Sequence, residues 1–199
     1  MPYHYLVASL PMLFFGDQNP FSAREFLSRC VGVLKTEHLA ILEAVLHGQS
    51  VVGNAFAMTW AARETQVRNA VARFRAMRLG VDSQAFQRPH AGFDVGLAQA
   101  VTDALAQHTP LEREQALDRC RWSIADELAL ADPFGFGTIL AFAVKLRITE
   151  RWTGLTEATG QRKVEEFIEA MTKPQDPAAK RSDPEARRRP AGTRKMSET

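Results

Sequence analysis

Apolar residues along most of the chain recur at the three-to-four-residue spacing of amphipathic helices, and strand-like alternation is nearly absent. The longest such segment runs from Asn54 to about Gly80, with one apolar stripe formed by Trp60, Val67, Val71 and Phe74. A later segment, opening at Asp132-Pro133 and reaching about Trp152, is apolar almost all round, which is typical of a helix covered by other helices or by a partner. The pattern predicts an all-α protein of about seven helices.

Capping signals indicate where these helices begin. Ser22 followed by Glu25 forms a capping box, in which each side chain accepts from the other residue's backbone N–H. Thr109, Pro110 and Glu112 supply an N-cap, a first-turn proline and a first-turn acid. The short apolar run Tyr3–Leu10 fits a strand or a buried helix. Further starts are expected at Thr36, Asn54 and Asp94, with a last helix over about Glu157–Met171.

Charge divides the chain into two parts. The net charge is +2, but from Lys173 onward there are eight basic and four acidic residues, so residues 1–172 carry a net charge of −2. The stretch 173–199 is rich in Pro, Arg, Lys and Ser and has no aromatic residue. Such a segment cannot bury enough apolar surface to offset its ordering entropy. We therefore expect a helical domain over 1–172 and a disordered basic tail over 173–199.

Composition limits the chemistry that the protein can perform. The chain has 199 residues, 45% of them hydrophobic, and only two cysteines, Cys30 and Cys120, too few for a disulfide framework or a four-cysteine zinc site. Five histidines form no metal-binding spacing, and Gly135-Phe136-Gly137 lacks the strand and third glycine of a phosphate loop. We expect no catalytic, cofactor-binding or metal-binding residue and no enzyme. The longest apolar run, Pro133–Val144, is too short to cross a bilayer, so a soluble protein is expected.

Three segments carry a resemblance to known proteins. Tyr3–Pro11 (YHYLVASLP) is similar to the N-terminus of an uncharacterised bacterial family encoded within V-type ATPase gene clusters. Arg68–Gly80 (RNAVARFRAMRLG) and Leu140–Leu155 (LAFAVKLRITERWTGL) resemble two helices of the d-type central-stalk subunit of V/A-type ATPases. Together the resemblance covers about residues 1–172. The d-type central-stalk subunit is much longer and is built from repeated helical modules, of which this chain has room for roughly half.

The resemblance implies a non-catalytic subunit that couples the central shaft of a rotary ATPase to its membrane rotor ring, aiding proton or sodium transport. It implies no cofactor, nucleotide or small-molecule substrate. The implied partners are the other ATPase subunits, and the implied location is the cytoplasmic face of the inner membrane, with membrane contact only through the complex.

Eight polar residues of the resembling segments and their surroundings are candidate partner contacts. The competing interpretation is that these side chains pair within the body and orient its helices. The candidates are Glu64, Arg68, Asn69, Arg75, Lys145, Arg147, Glu150 and Arg151.

Two other functions remain open at the level of sequence. One is a helical nucleic-acid-binding or regulatory adaptor that uses the basic tail, where Arg187–Arg189 is the densest basic run. A solvated tail with no ligand is the plainer interpretation of that run. The other is an enzyme with an unrecognised helical site, which would need acids or histidines converging in one pocket.

Overall fold

A computed structural model describes residues 3–155 and 157–172, and within these ranges it contains eight α-helices and no strand. The all-α prediction is confirmed. A single 3₁₀ turn, Gln84–Phe86, lies in the connection after the fourth helix. The helices are α1 (His4–Ser9), α2 (Ala23–Cys30), α3 (Thr36–Leu46), α4 (Ala55–Leu79), α5 (Val95–Leu105), α6 (Pro110–Leu130), α7 (Phe136–Thr153) and α8 (Glu157–Thr172).

The capping signals position four helix starts as predicted. The predicted capping box forms at Ser22 with Glu25 on α2. The predicted N-cap Thr109 and first-turn acid Glu112 also form a capping box, on α6. Asn54 caps α4 and Asp94 caps α5, each through a side-chain oxygen that accepts a backbone N–H of the first turn. These side chains satisfy donors that a helix leaves unpaired at its start.

Two predicted starts are wrong in detail. Thr36 is the first residue of α3 and not its cap, since Lys35 occupies the N-cap position without a side-chain hydrogen bond. Helix α7 begins at Phe136, and not directly after Asp132. The Asp132 carbonyl accepts from the Gly135 N–H at 3.1 Å and from the Thr138 hydroxyl at 2.8 Å, so it closes a turn before the helix instead of starting it.

Helix α7 is the centre of the unit formed by residues up to Leu155. It packs against α2, α3, α4 and α6. Ile139, Leu140 and Leu146 on α7 are completely buried. They join Phe26 of α2 and Leu42 of α3 in the larger of two hydrophobic clusters. The all-round apolar character of this segment therefore reflects a helix enclosed by its own neighbours.

A second cluster lies between α4, α5 and α6. Val67, Val101 and Leu117, one from each helix, are among its most buried members. Trp60 of α4 and Leu128 of α6 pack against both clusters. Because α4 and α6 contribute buried residues to each cluster, two continuous helices run through the whole unit.

The connection between α4 and α5 is fastened to α4 by two buried amide side chains, Gln66 and Asn69. Gln66 donates to the Asp94 carbonyl at 2.6 Å and accepts from the Asp94 N–H at 3.0 Å. Asn69 donates to the Arg88 carbonyl at 2.7 Å and accepts from the Arg88 N–H at 2.9 Å. We call these two pairings the amide clamps. They give the backbone of Arg88 and Asp94, which lies outside any helix, hydrogen-bond partners on α4.

Helix α8 belongs to a second unit and is described by itself. It matches the predicted last helix over Glu157–Met171 within one residue at its end. Its side chains Val164, Phe167 and Met171 are exposed. The predicted basic tail, 173–199, lies outside the described residues. Among the helices of the described ranges, none combines the length and the apolarity needed to cross a membrane.

Candidate functional site

A polar cleft of about 410 Å³ opens between α4, α6, α7 and the turn that follows α3. Its volume falls within the range of small-molecule sites. Two acids, Glu64 and Asp118, also line it. We call it the arginine cleft, because five arginines line it: Arg68, Arg88, Arg121, Arg147 and Arg151.

The floor of the cleft is organised around Asp118, which is only 2% exposed. Its carboxylate accepts from Arg121 Nη1 at 2.9 Å, from Trp152 Nε1 at 2.8 Å and from Arg151 Nη2. A buried carboxylate is tolerated when charged and polar donors surround it in this way. Asp118 therefore ties α6 to the end of α7.

Glu64 extends this network from α6 to α4. Arg121 Nε lies 2.8 Å from Glu64 Oε2, and Arg68 Nε lies 2.8 Å from Glu64 Oε1. Burial lowers the pKa of Arg121, but Glu64 and Asp118 outweigh burial, and the pKa lies above its ordinary value. Arg151 also lies 3.7 Å from a carboxylate oxygen of Glu114.

The network is balanced in formal charge. Three arginines alternate with three carboxylates: Arg68, Glu64, Arg121, Asp118, Arg151 and Glu114. These six groups neutralise one another, so they add little net charge to the cleft.

Arg147 is not a member of this charge-balanced network. Its Nη1 donates to the Val45 carbonyl at 3.1 Å, and within the described ranges no carboxylate lies within ion-pair distance of it. Burial is the main influence on the pKa of Arg147 and lowers it. Glu64 and Glu150 raise the pKa and Arg68 lowers it, and the result lies below the ordinary value. An arginine with a lowered pKa is still a cation at neutral pH.

Arg88 is the second cleft arginine without an acid. Asn69 holds its backbone, and its side chain is exposed. Within residues 3–155 and 157–172 no ion pair involves its guanidinium. The cleft lining therefore has five arginines against two acids, and Glu114, which pairs with Arg151 from outside the lining, reduces the surplus to two positive charges.

The eight residues predicted as partner contacts fall into three groups. The cleft contains Glu64, Arg68, Arg147 and Arg151. Three others have partners inside the body: Asn69 forms an amide clamp, Lys145 pairs with Asp126, and Glu150 accepts from the Ala23 N–H at 2.6 Å at the start of α2. Arg75 lies on α4 outside the cleft, where it is exposed and makes no ion pair with any described residue.

Sequence reasoning missed several residues that build the cleft. Nothing in the sequence pattern singles out Arg121 or Trp152 as a functional residue. Asp118 is only one of several acids predicted on helices. A signal is present for Asp118, since it lies seven residues before the buried Ala125 and beside Leu117 on the apolar stripe of α6. Arg88 carries no comparable signal, because a fold-dependent clamp on its backbone brings it to the cleft.

Other reactive groups are spread over the body. Burial raises the pKa of the Cys30 thiol to about 11 and also raises the pKa of the Cys120 thiol. The Tyr3 hydroxyl lies 2.8 Å from His38 Nδ1. Over the described part of the chain, no three His, Cys, Asp or Glu residues come together in a way that could hold a metal ion.

Comparison with known families gives one match. The profile of a family described as "Protein of unknown function (DUF2764)" matches residues 94–175. This range begins at the cap of α5 and includes the cleft residues of α6 and α7, whereas Glu64 and Arg68 precede it. No curated protein and no solved structure matches the chain.

Proposed function

We propose that this protein is a non-catalytic subunit of a V/A-type rotary ATPase. In this proposal it is a coupler, similar to the d-type central-stalk subunit, that joins the central shaft to the membrane rotor ring and aids proton or sodium transport. The resemblance of Tyr3–Pro11, Arg68–Gly80 and Leu140–Leu155 motivates the proposal. The structural observation that supports it best is α4, a long helix braced along one part and carrying an exposed arginine flank along another.

Bracing of α4 comes from side chains that join it to two neighbouring helices. The helix has 25 residues, which corresponds to a length of about 37 Å. Arg63 lies 2.9 Å from Glu127 of α6 and 3.2 Å from Asp94 at the cap of α5. The hydrogen bond to Glu127 raises the pKa of Arg63. Helices joined in this way resist sliding, and resistance to sliding is what transmission of torque requires.

The exposed flank of α4 offers a surface for a partner. Arg68 and Arg75 lie seven residues apart on one side of the helix, and both are exposed. Arginine is enriched at protein interfaces because its planar guanidinium binds carboxylates in a fixed geometry. We propose an acidic face of another ATPase subunit as the partner. In that assembly the protein would lie at the cytoplasmic face of the inner membrane and touch the membrane only through the complex.

The test is affinity purification of tagged protein from its native membranes in mild detergent, followed by mass spectrometry. We expect the wild-type protein to recover shaft and ring subunits. Arg75→Ala is expected to reduce that recovery severalfold without lowering the melting temperature, because Arg75 has no ion pair to lose within the described body. Arg24→Ala on α2, another exposed arginine, is the matched control and should leave recovery unchanged.

Two outcomes would contradict the proposal. Recovery of nucleic acid or unrelated soluble proteins, with no ATPase subunit, would favour the regulatory adaptor that uses the basic tail. A lower melting temperature of Arg75→Ala with normal recovery of ATPase subunits would remove Arg75 from the interface and assign it a role inside the body.

A further inference from the structure

The residues of the arginine cleft carry more positive than negative charge. Its six-member network is neutral, while Arg147 and Arg88 contribute two positive charges, and no carboxylate of the described residues lies within ion-pair distance of either. Arg147 and Arg88 both keep a substantial part of their surface exposed, so their guanidinium groups are accessible to a ligand that enters the cleft. A concave site with this surplus therefore favours an anionic ligand.

Arg147 is held in position for such a ligand. Its Nη1 is anchored on the Val45 carbonyl, and the turn at Gly48 lies against the guanidinium. Gly48 has a φ of +69°, and a Cβ at this position would lie 3.2 Å from Arg147 Nη1. A guanidinium carries five N–H donors on its three nitrogen atoms. The Val45 carbonyl accepts from only one of these nitrogens, Nη1. Donors of a side chain held in this way bind a ligand at a lower entropic cost.

The surplus of two charges selects among anions. A single carboxylate would neutralise only one guanidinium, whereas a phosphate group carries close to two negative charges at neutral pH. Guanidinium groups also bind phosphate oxygens through paired, charge-assisted hydrogen bonds. We propose that the arginine cleft is a binding site for a phosphate-type dianion, held by Arg147 and Arg88. The proposal does not rest on the proposed role in an ATPase, although Arg68 belongs both to the cleft and to the exposed flank of α4.

The phosphate group can come from two sources, inorganic phosphate and the phosphates of a nucleotide. The cleft volume of about 410 Å³ admits both. The first experiment is isothermal titration calorimetry of the full chain with inorganic phosphate at constant ionic strength, and the second is the same titration with ADP. Saturable binding of one molecule per chain is expected in at least one arm. Tighter binding of ADP than of phosphate identifies a nucleotide site, and the reverse identifies a site for the free ion.

Three variants connect the binding to the cleft. Arg147→Gln is expected to weaken binding at least tenfold, and Arg147→Lys, which keeps the charge but loses the fork, should weaken it severalfold. Arg75→Gln removes the same charge outside the cleft and should leave the affinity within twofold of wild type. Phosphate should also raise the melting temperature of the wild-type protein more than that of Arg147→Gln.

Some results would overturn the proposal. One is the absence of saturable binding of either probe to the wild-type chain. Another is an equal loss of affinity in Arg75→Gln and Arg147→Gln, since that would indicate attraction to general surface charge. If Arg147→Gln fails to fold, Arg88→Gln and Arg147→Lys carry the same comparison, and unchanged affinity in both would also exclude the site.

Discussion

Single residues decide whether the polar interior of this body is stable. Asp118 is the clearest case, because it is buried and its two oxygens receive hydrogen bonds from three different side chains. An amide in its place would present an N–H₂ group to donors that need an acceptor. The neighbouring arginines would then lose the counter-charge that makes their partial burial tolerable.

We expect Asp118→Asn to reduce the free energy of unfolding by about 3 kcal/mol. Urea denaturation monitored by circular dichroism measures this change. The matched control is Asp126→Asn, which removes the exposed partner of Lys145 and should cost less than about 1 kcal/mol. Equal effects of the two substitutions would show that the Asp118 network contributes no more than a surface ion pair.

Thiol reactivity gives a second measurement at this scale. Cys30 is fully buried and the pKa of its thiol is about 11, so at pH 8 about one molecule in a thousand carries the thiolate. We expect iodoacetamide to modify the partly exposed Cys120 first and Cys30 only near the urea midpoint of unfolding. Peptide mass spectrometry distinguishes the two sites. Equal modification of both cysteines in the native protein would contradict the burial of Cys30.

At the scale of elements, helix ends contribute measurable stability. The capping boxes lower the pKa of Glu25 and of Glu112, chiefly through hydrogen bonds from the backbone of Ser22 and Thr109. A pKa that is lower in the folded than in the unfolded state stabilises the protein above the unfolded value. That stabilisation is lost as the pH falls through the folded pKa.

We therefore expect stability to decrease as the pH falls below the unfolded pKa of 4.5, and the decrease to be shallower in the double variant Glu25→Gln/Glu112→Gln. Glutamine keeps the geometry of a capping box but does not titrate. Thermal unfolding between pH 3 and 6 is the measurement. Glu165→Gln on the exposed face of α8 is the control, and a change in slope equal to that of the double variant would refute the assignment.

The C-terminal ends of α4 and α7 offer a matched pair of glycines. Gly80 ends α4 in the left-handed region with a φ of +66°, whereas Gly154 ends α7 with a φ of −78°. We expect Gly80→Ala to cost about 1 kcal/mol, and Gly154→Ala to be neutral or slightly stabilising. Chemical denaturation of both variants tests this difference. A cost for Gly154→Ala equal to that for Gly80→Ala would show that conformation is not the cause.

Sequence predicts the elements better than it predicts the cleft, and the reason is physical. Caps such as Ser22 and Thr109 bond to residues within four positions of themselves, so a short stretch of sequence is enough to predict them. The start of α7 is harder to predict because the Asp132 carbonyl bonds to Thr138, a contact that depends on the turn between them. The cleft joins residues more than 50 positions apart, such as Glu64 and Arg121. No spacing rule reveals such a pairing.

At the scale of the whole molecule, the unit up to Leu155 depends on helices shared between its two hydrophobic clusters. Trp60 is one of two residues that pack against both clusters, and it lies on α4, which contributes Phe56 to one and Val67 to the other. Clusters joined through common helices should gain or lose structure together. The unit is therefore expected to unfold in a single transition.

We expect Trp60→Ala to reduce stability by about 3 kcal/mol and to broaden or split the unfolding transition. Leu42→Ala, confined to the larger cluster, should cost a similar amount while the transition remains single. Differential scanning calorimetry, comparing calorimetric with van't Hoff enthalpy, separates these cases. A single transition in Trp60→Ala would show that the continuity of α4 and α6 suffices for cooperativity.

The amide clamps have a consequence for backbone hydrogen exchange. An irregular connection normally exchanges its amide protons quickly along its whole length. Here the N–H groups of Arg88 and Asp94 donate to buried side chains of α4, so these two protons should exchange far more slowly than those of the residues between them. The connection would then show, in a deuterium-labelling experiment, one rapidly exchanging span bounded by two slowly exchanging amides, those of Arg88 and Asp94. Tolerance for inserted residues should follow the same division.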